Sequence, residues 1–368
     1  MRRIVIGAIV TVLITLGWIT LVQPGSTRPV NGETAPPAEA ASAQGETGNL
    51  TPFPDEKAAA SQPEATTNQI ASSNLYARIS NGSIPRVGHE QLEPFLARNQ
   101  RSAEALLGAL RASGDASFLA EAKEKFPNDP RVQFAAAFES ESAQERQQWL
   151  EKIKQSDPDN ALANYLIASE HSKAGLTDQA LQEINAASGK RGFDNYMLDS
   201  MQNAEEAYQA GGFSAAEAKT IATMTAPLPE PARLKELGVN LVELAKRYQQ
   251  AGDGTSAQAV LQMGLDLAHR LDQSPQVTML QELVGMAIER NALEAMDPKA
   301  PYYSTGQTVQ EQLDALTARR RTYSELTAQS DLTLRSMSDE EVAHYYDRFA
   351  LFGDLAAMRW AINKWSRP

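Results

Sequence analysis

The 368-residue sequence contains no cysteine. That absence removes disulfide frameworks, Cys-ligated zinc, iron–sulfur clusters, a thiol nucleophile and a lipidated cysteine anchor. It leaves the redox compartment unread, because a chain without thiols is indifferent to it. Basic charge is also short. Lys and Arg number 34 against 46 Asp and Glu, a net charge of -12, so nucleic acid is a poor partner on electrostatic grounds. Aromatics make up only 7% of the residues. The four histidines, His89, His171, His269 and His344, form no His-Glu-x-x-His pair or other short metal spacing, and each reads as a surface or packing residue. Gly252-Asp253-Gly254-Thr255 lacks the downstream Gly-Lys-Ser/Thr of a phosphate loop, and no Gly-x-Ser-x-Gly elbow occurs. Carboxylates are abundant, but no frame singles out a glycosidase-like pair. Arg319-Arg320-Arg321, between Asp314 and Glu325, reads as a solvated helix face with local ion pairs. No catalytic residue, cofactor or metal ligand is expected.

One long apolar run is present, Ile4 to Val22, with no charge and three Thr as its polar residues. As a helix, nineteen residues span roughly 28 Å, close to the bilayer core. A secretory signal has a shorter apolar stretch and a small-x-small cleavage site close behind it. Here Gln23-Pro24-Gly25-Ser26-Thr27-Arg28 follows, and the Ala-rich stretch from Ala38 to Ala43 lies more than fifteen residues further on. Residues 1–22 are therefore expected to be an uncleaved membrane anchor, the alternative being a cleaved signal with a secreted product. Arg2 and Arg3 place the N-terminus in the cytoplasm and the remainder on the exported side of a bacterial inner membrane.

Residues 23–72 hold seven of the nineteen prolines, amid Ala, Ser, Thr, Gly, Gln and Glu. Val30, Leu50, Phe53 and Ile70 are their only large apolar side chains, too few to offset the entropy of ordering the chain. A disordered linker is expected there, with a typical end-to-end distance of about 40 Å. Beyond residue 85 the pattern turns helical. Ser102 precedes a stripe of Leu106, Leu107 and Leu110, Gly114-Asp115 stops it, and Phe118, Leu119, Ala122 and Phe126 line the next. No segment shows a sustained period of two, so an all-α fold is expected.

Helix-turn-helix units then recur. Asp157-Pro158-Asp159-Asn160 makes a turn before the helix Ala161 to Ala168, Gly175 makes the next, and Ala180, Ile184 and Ala187 follow as small, large and small. Near Gly238 the spacing returns with Leu241, Leu244, Ala245 and Tyr248, then Gly252-Asp253, then Ala257, Leu261 and Gly264. A weaker unit holds Gly211-Gly212-Phe213 and Ala216, with Asn203 where an apolar side chain is expected. Over roughly residues 100–265 the pattern resembles the tetratricopeptide superfamily, whose 34-residue repeat joins two helices through small contact residues.

The resemblance implies a right-handed α-solenoid in which each unit packs on its neighbours, with first helices lining a concave groove for a peptide or partner helix. Carried onto this sequence, the groove positions are Leu162, Tyr165, Ser169, Ser172 and Lys173 in one unit. Those of the other are Val239, Val242, Lys246, Gln249 and Gln250. Tyr165 is expected to be the best single anchor. The family's carboxylate-gripping set of Lys and Asn is not assembled, since Lys246 stands alone.

Pro227-Leu228-Pro229-Glu230-Pro231 is expected to divide repeats in 73–230 from a further repeat and helical cap in 231–368. In the second part Gln276 to Met296 and Val309 to Leu326 read as helices, with Asp297-Pro298 and Pro301 in a loop between them. Ser338 and Glu341 form a capping box opening the next helix. Tyr345, Tyr346, Phe349, Phe352, Trp360 and Trp365 read as a terminal cap or as a partner-docking surface. The functional expectation is a membrane-tethered, protein-binding scaffold or adaptor. Its rivals are an envelope enzyme with an unrecognised carboxylate site in the C-terminal third, and a structural spacer or self-associating module.

Overall fold

Short polar side chains set where many of the helices begin, and glycines set where several end. The computed structural model describes residues 74–272, 278–303 and 305–365. The expected anchor over 4–22 and the linker over 23–72 lie outside these described residues. Among the described residues, sixteen helices and one small hairpin make up the fold. The first eight are α1 (Leu75–Ser80), α2 (His89–Arg98), α3 (Ala103–Ser113), α4 (Ser117–Lys125), α5 (Pro130–Glu139), α6 (Ala143–Ser156), α7 (Leu162–Lys173) and α8 (Thr177–Ser188). They continue with α9 (Met197–Ala210), α10 (Ala215–Met224), α11 (Glu230–Gln250), α12 (Gly254–Leu271) and α13 (Met279–Glu294). Strands β1 (Pro301–Tyr302) and β2 (Gln307–Thr308) pair antiparallel, and α14 (Val309–Ser336), α15 (Asp339–Phe352) and α16 (Asp354–Trp365) complete the chain.

Side chains cap several helix starts. Ser102 accepts from the backbone N–H of Ala105, and Asp253 from that of Ser256, each satisfying a donor that the first helical turn leaves free. Ser338 and Glu341 form the expected reciprocal box at the start of α15. Gly175 and Gly252, at the turns inside α7–α8 and α11–α12, both take positive φ (74° and 78°), where a side chain would be strained. Between α10 and α11 the proline-rich stretch interrupts the helical run, and α11 starts at Glu230 with Pro231 in its first turn.

Two expected boundaries differ. The helix expected to stop at Leu326 runs ten residues further, to Ser336. Thr327 and Thr333 weaken its intrinsic propensity, but each hydroxyl donates to the carbonyl four residues back, and Ser330, Thr333 and Leu334 are buried. The loop around Pro301 contains the β1–β2 hairpin, too short to leave a periodic trace.

The helices form two buried clusters, a smaller one around α2–α4 and α9–α10 and a larger one that includes α7, α11–α13 and the C-terminal helices. Contacts between helices are not confined to sequence neighbours, which corrects the expectation of neighbour-only packing. Helix α9 packs on α3, α10 packs on α1 and α15, and α11 packs on both α7 and α13. The beginning and end of the described chain therefore meet. Asn74 donates its side-chain amide to the carbonyls of Leu334 and Met337, and Leu75 N–H donates to Asp339. Among the described residues no helix is long and apolar enough to cross a membrane.

Candidate binding site

The two repeat-like pairs come together as α7–α8 against α11–α12, with α7 and α11 in contact. This divides the ten expected groove residues. Leu162 and Tyr165 are 1% exposed and Ser169 is 0% exposed, so they belong to the interior rather than to a partner-facing surface. The cause is the placement of α7, which is enclosed by α6, α8 and α11. Tyr165 meets the ring of Phe193 at 6.2 Å, and Ser169 Oγ donates to the Arg233 carbonyl at 3.2 Å. Val242 is also buried, one turn from Gly238 on the side of α11 that faces α13. The sequence carried this signal. Ala161 to Ala168 is apolar nearly all round, which is the mark of an enclosed helix rather than of an amphipathic one.

The remaining expected positions reach solvent. Ser172 is half-buried, and Lys173, Val239, Lys246, Gln249 and Gln250 are exposed. Lys173 and Ser172 lie at the end of α7, beside the Gly175 turn, and line an open groove of about 260 Å³ against α11. Its floor is Ala180, Leu237 and Leu241, and its walls carry Thr177, Asn240, Glu243 and Arg247. Lys173 Nζ reaches Glu236 at 2.7 Å across the gap. Lys246 instead pairs with Glu243 on its own helix, and Gln249 donates to the Ala295 carbonyl. The groove offers apolar floor, hydrogen-bonding walls and charges of both signs.

A second polar constellation, which the sequence reading missed, occupies the C-terminal third. The Tyr302 hydroxyl donates to Glu289 at 2.6 Å and lies 3.0 Å from His269 Nε2, while Gln312 donates to the same Glu289 oxygen at 2.8 Å. Burial pushes Glu289 up, but the hydrogen bonds from Tyr302 and Gln312 and the imidazole of His269, 3.9 Å away, outweigh it and hold its pKa below the usual range. The Glu289 carboxylate raises His269 in turn. Nearby, burial lifts Asp272 to about 6, with Arg319 opposing. Arg319, read as part of a solvated run, bridges α14 to Glu282 at 3.2 Å and to Asp272 at 3.7 Å. Arg321 does pair locally, with Glu325 at 3.0 Å. His269 and Tyr302 gave no signal because 33 residues, helix α13 among them, separate them. Among the described residues no group of three or more His, Asp or Glu is placed to hold a metal ion.

The C-terminal aromatics also divide. Tyr345, Tyr346 and Phe349 are buried, whereas Phe352 is 63% exposed and Trp360 and Trp365 are half-buried. Arg348 stacks over Trp360 and Lys364 over Trp365, and the Trp365 indole donates to Glu341. No family model matches the chain, and no curated protein or solved structure matches it either.

Proposed function

We propose that the chain is a protein-binding scaffold or adaptor, tethered by residues 4–22 to a bacterial inner membrane with its helical body on the exported side. In this reading α7–α8 and α11–α12 are two tetratricopeptide-like units of a right-handed repeat stack, and the partner is an extended peptide segment. The observation that carries the reading is the open groove at the joint of those two pairs, lined by Ser172, Lys173, Asn240, Glu243 and Arg247 over an apolar floor. Backbone groups of an extended segment would find donors and acceptors on its walls, and one small apolar side chain would fill its floor. Tyr165 is not part of this site.

The test is site-specific photocrosslinking in intact cells, with a photoreactive residue in place of Asn240 and, as a remote reference, in place of Arg321. Position 240 should give a discrete adduct that position 321 does not, and Arg247→Glu should suppress it. Identical adducts from both positions, or none from 240, refute the groove. Resistance of the full chain to carbonate extraction, lost on removing residues 1–22, tests the tether separately.

The rival reading, an envelope enzyme with a carboxylate site in the C-terminal third, draws on the His269–Tyr302–Glu289 hydrogen-bond chain. An activity abolished by Glu289→Gln in a folded chain would favour it.

A further inference from the structure

The two ends of the described chain enclose a second site, independent of the groove. A cavity of about 170 Å³ lies where α1, α14, α15 and α16 meet the start of α13. An apolar cavity of about 150 Å³ holds a benzene molecule, so this one has room for a compact ligand of that size. Four aromatic rings line it, those of Tyr76, Tyr345, Tyr346 and Phe349, all no more than 8% exposed. Two carboxylates also line it, Asp331 and Asp354, and no Lys, Arg or His does.

The two acids are not equivalent. Asp331 is neutralised within the fold, accepting from the Tyr76 hydroxyl at 2.8 Å and from Arg335 Nε at 2.8 Å. Asp354 accepts the Met279 backbone N–H at 2.8 Å, lies beside the Tyr345 hydroxyl and, among the described residues, has no cationic partner. The charge that acts on it is that of Glu282, a like charge. Beside it, Ser330 Oγ is buried next to the Tyr345 hydroxyl without a hydrogen bond of normal geometry. A lone carboxylate in an aromatic enclosure lacks one thing, a positive charge with an apolar surface.

We propose that this cavity binds a small organic cation, an ammonium or quaternary ammonium compound about the size of benzene. Aromatic rings attract a cation through their electron-rich faces, and the attraction grows where water is excluded. Asp354 supplies the counter-charge, and the opposite charge holds it ionised. Flexible Met197, Met279 and Met358 fill the remaining wall and adapt to the ligand's shape. A metal ion or ammonia has no comparable apolar surface for the rings to cover, and a neutral molecule leaves Asp354 without a counter-charge.

Calorimetric titration of the full chain tests this with choline, with tetramethylammonium, and with 3,3-dimethylbutan-1-ol, which replaces choline's nitrogen by carbon. Choline should bind about tenfold or more tightly than the neutral alcohol. Asp354→Asn keeps an acceptor for the Met279 N–H and should bring the two affinities together. Phe349→Leu keeps apolar volume but removes a ring face, and should weaken choline more than the alcohol. Equal affinities in the unaltered chain overturn the proposal, as does a preference that survives Asp354→Asn. Absence of saturation by either cation at about 10 mM overturns it as well. If Asp354→Asn fails to fold, Phe349→Leu decides: unchanged cation preference there sinks the aromatic enclosure.

Discussion

Glu230 is the residue whose titration should mark this fold most clearly. It is the first residue of α11 and is 0% exposed. One carboxyl oxygen accepts from the Asn195 side-chain amide, and the other has no hydrogen-bond partner. Burial pushes its pKa from 4.5 up to about 7, with the Asn195 hydrogen bond opposing. The folded chain therefore keeps a proton that the unfolded chain releases. This contribution to stability is fully present below about pH 4.5 and is lost as pH rises through about 7. From pH 5 to pH 8 the loss amounts to about 2 to 3 kcal/mol, an upper figure because a helix N-terminus favours the carboxylate. Glu230→Gln removes the titration while retaining an acceptor for Asn195. Its new amide has no buried partner, a cost of about 1 to 3 kcal/mol that does not change with pH. The diagnostic is thus the pH dependence of the gap between the two proteins. Denaturant unfolding at pH 5, 6, 7 and 8 should show the variant gaining on the parent across the series. Asp272 and Asp354 are raised in the same direction, and comparing variant with parent cancels them. Parallel stability curves would refute the reasoning.

Three further outcomes follow from particular contacts. In Gly108→Ala the new Cβ would lie 2.2 Å from the Asn203 carbonyl oxygen, so α3 and α9 must separate. The loss should be about 3 kcal/mol or more in denaturant unfolding, whereas Gly189→Ala, with nothing within 4 Å, should change stability by less than about 0.5 kcal/mol. Ser338→Ala removes the acceptor for the Glu341 N–H and should cost about 1 kcal/mol, with faster hydrogen exchange confined to the first turn of α15. Asp115 lies 2.7 Å from His89 Nδ1, and that hydrogen bond is the main reason the imidazole pKa is raised. Asp115→Asn should lower the His89 titration midpoint followed by NMR, and an unmoved midpoint would assign the shift to Glu93 instead.

What the sequence made legible was local. Helix starts at Ser102, Asp253 and Ser338, the glycine turns at 175 and 252, and the break before Glu230 all follow from side chains satisfying or lacking backbone partners within a few residues. The groove was legible only at its rim. Ser172 and Lys173 lie where the repeat spacing put them, because they end a helix at a turn. Tyr165 and Val242 occupy the same helices but face the interior. Periodicity along one helix identifies its apolar positions without saying whether a second helix covers the opposite side. Here α6, α8 and α11 together cover α7, and α13 covers the relevant side of α11. The aromatic cavity was less legible still, since Tyr76 and Tyr345 are brought together by closure of the chain on itself.

That closure accounts for two irregularities that local reasoning treats as separate. Gly108 stands in the middle of a helix, where it lowers helix propensity by about 1 kcal/mol relative to Ala. Asn203 stands where the repeat pattern calls for an apolar residue, 95 residues further along. In the fold they are one contact: the backbone of α9 at Asn203 approaches α3 so closely that only a residue without Cβ fits opposite. The Asn203 side chain is buried there, and its amide nitrogen has no hydrogen-bond partner among the described residues. Both costs are accepted at the same place, and the return is the α3–α9 packing that turns a succession of helical pairs back on itself. A solenoid held by neighbours alone has no use for such a pair, so the glycine and the asparagine are the trace that long-range closure leaves in the sequence.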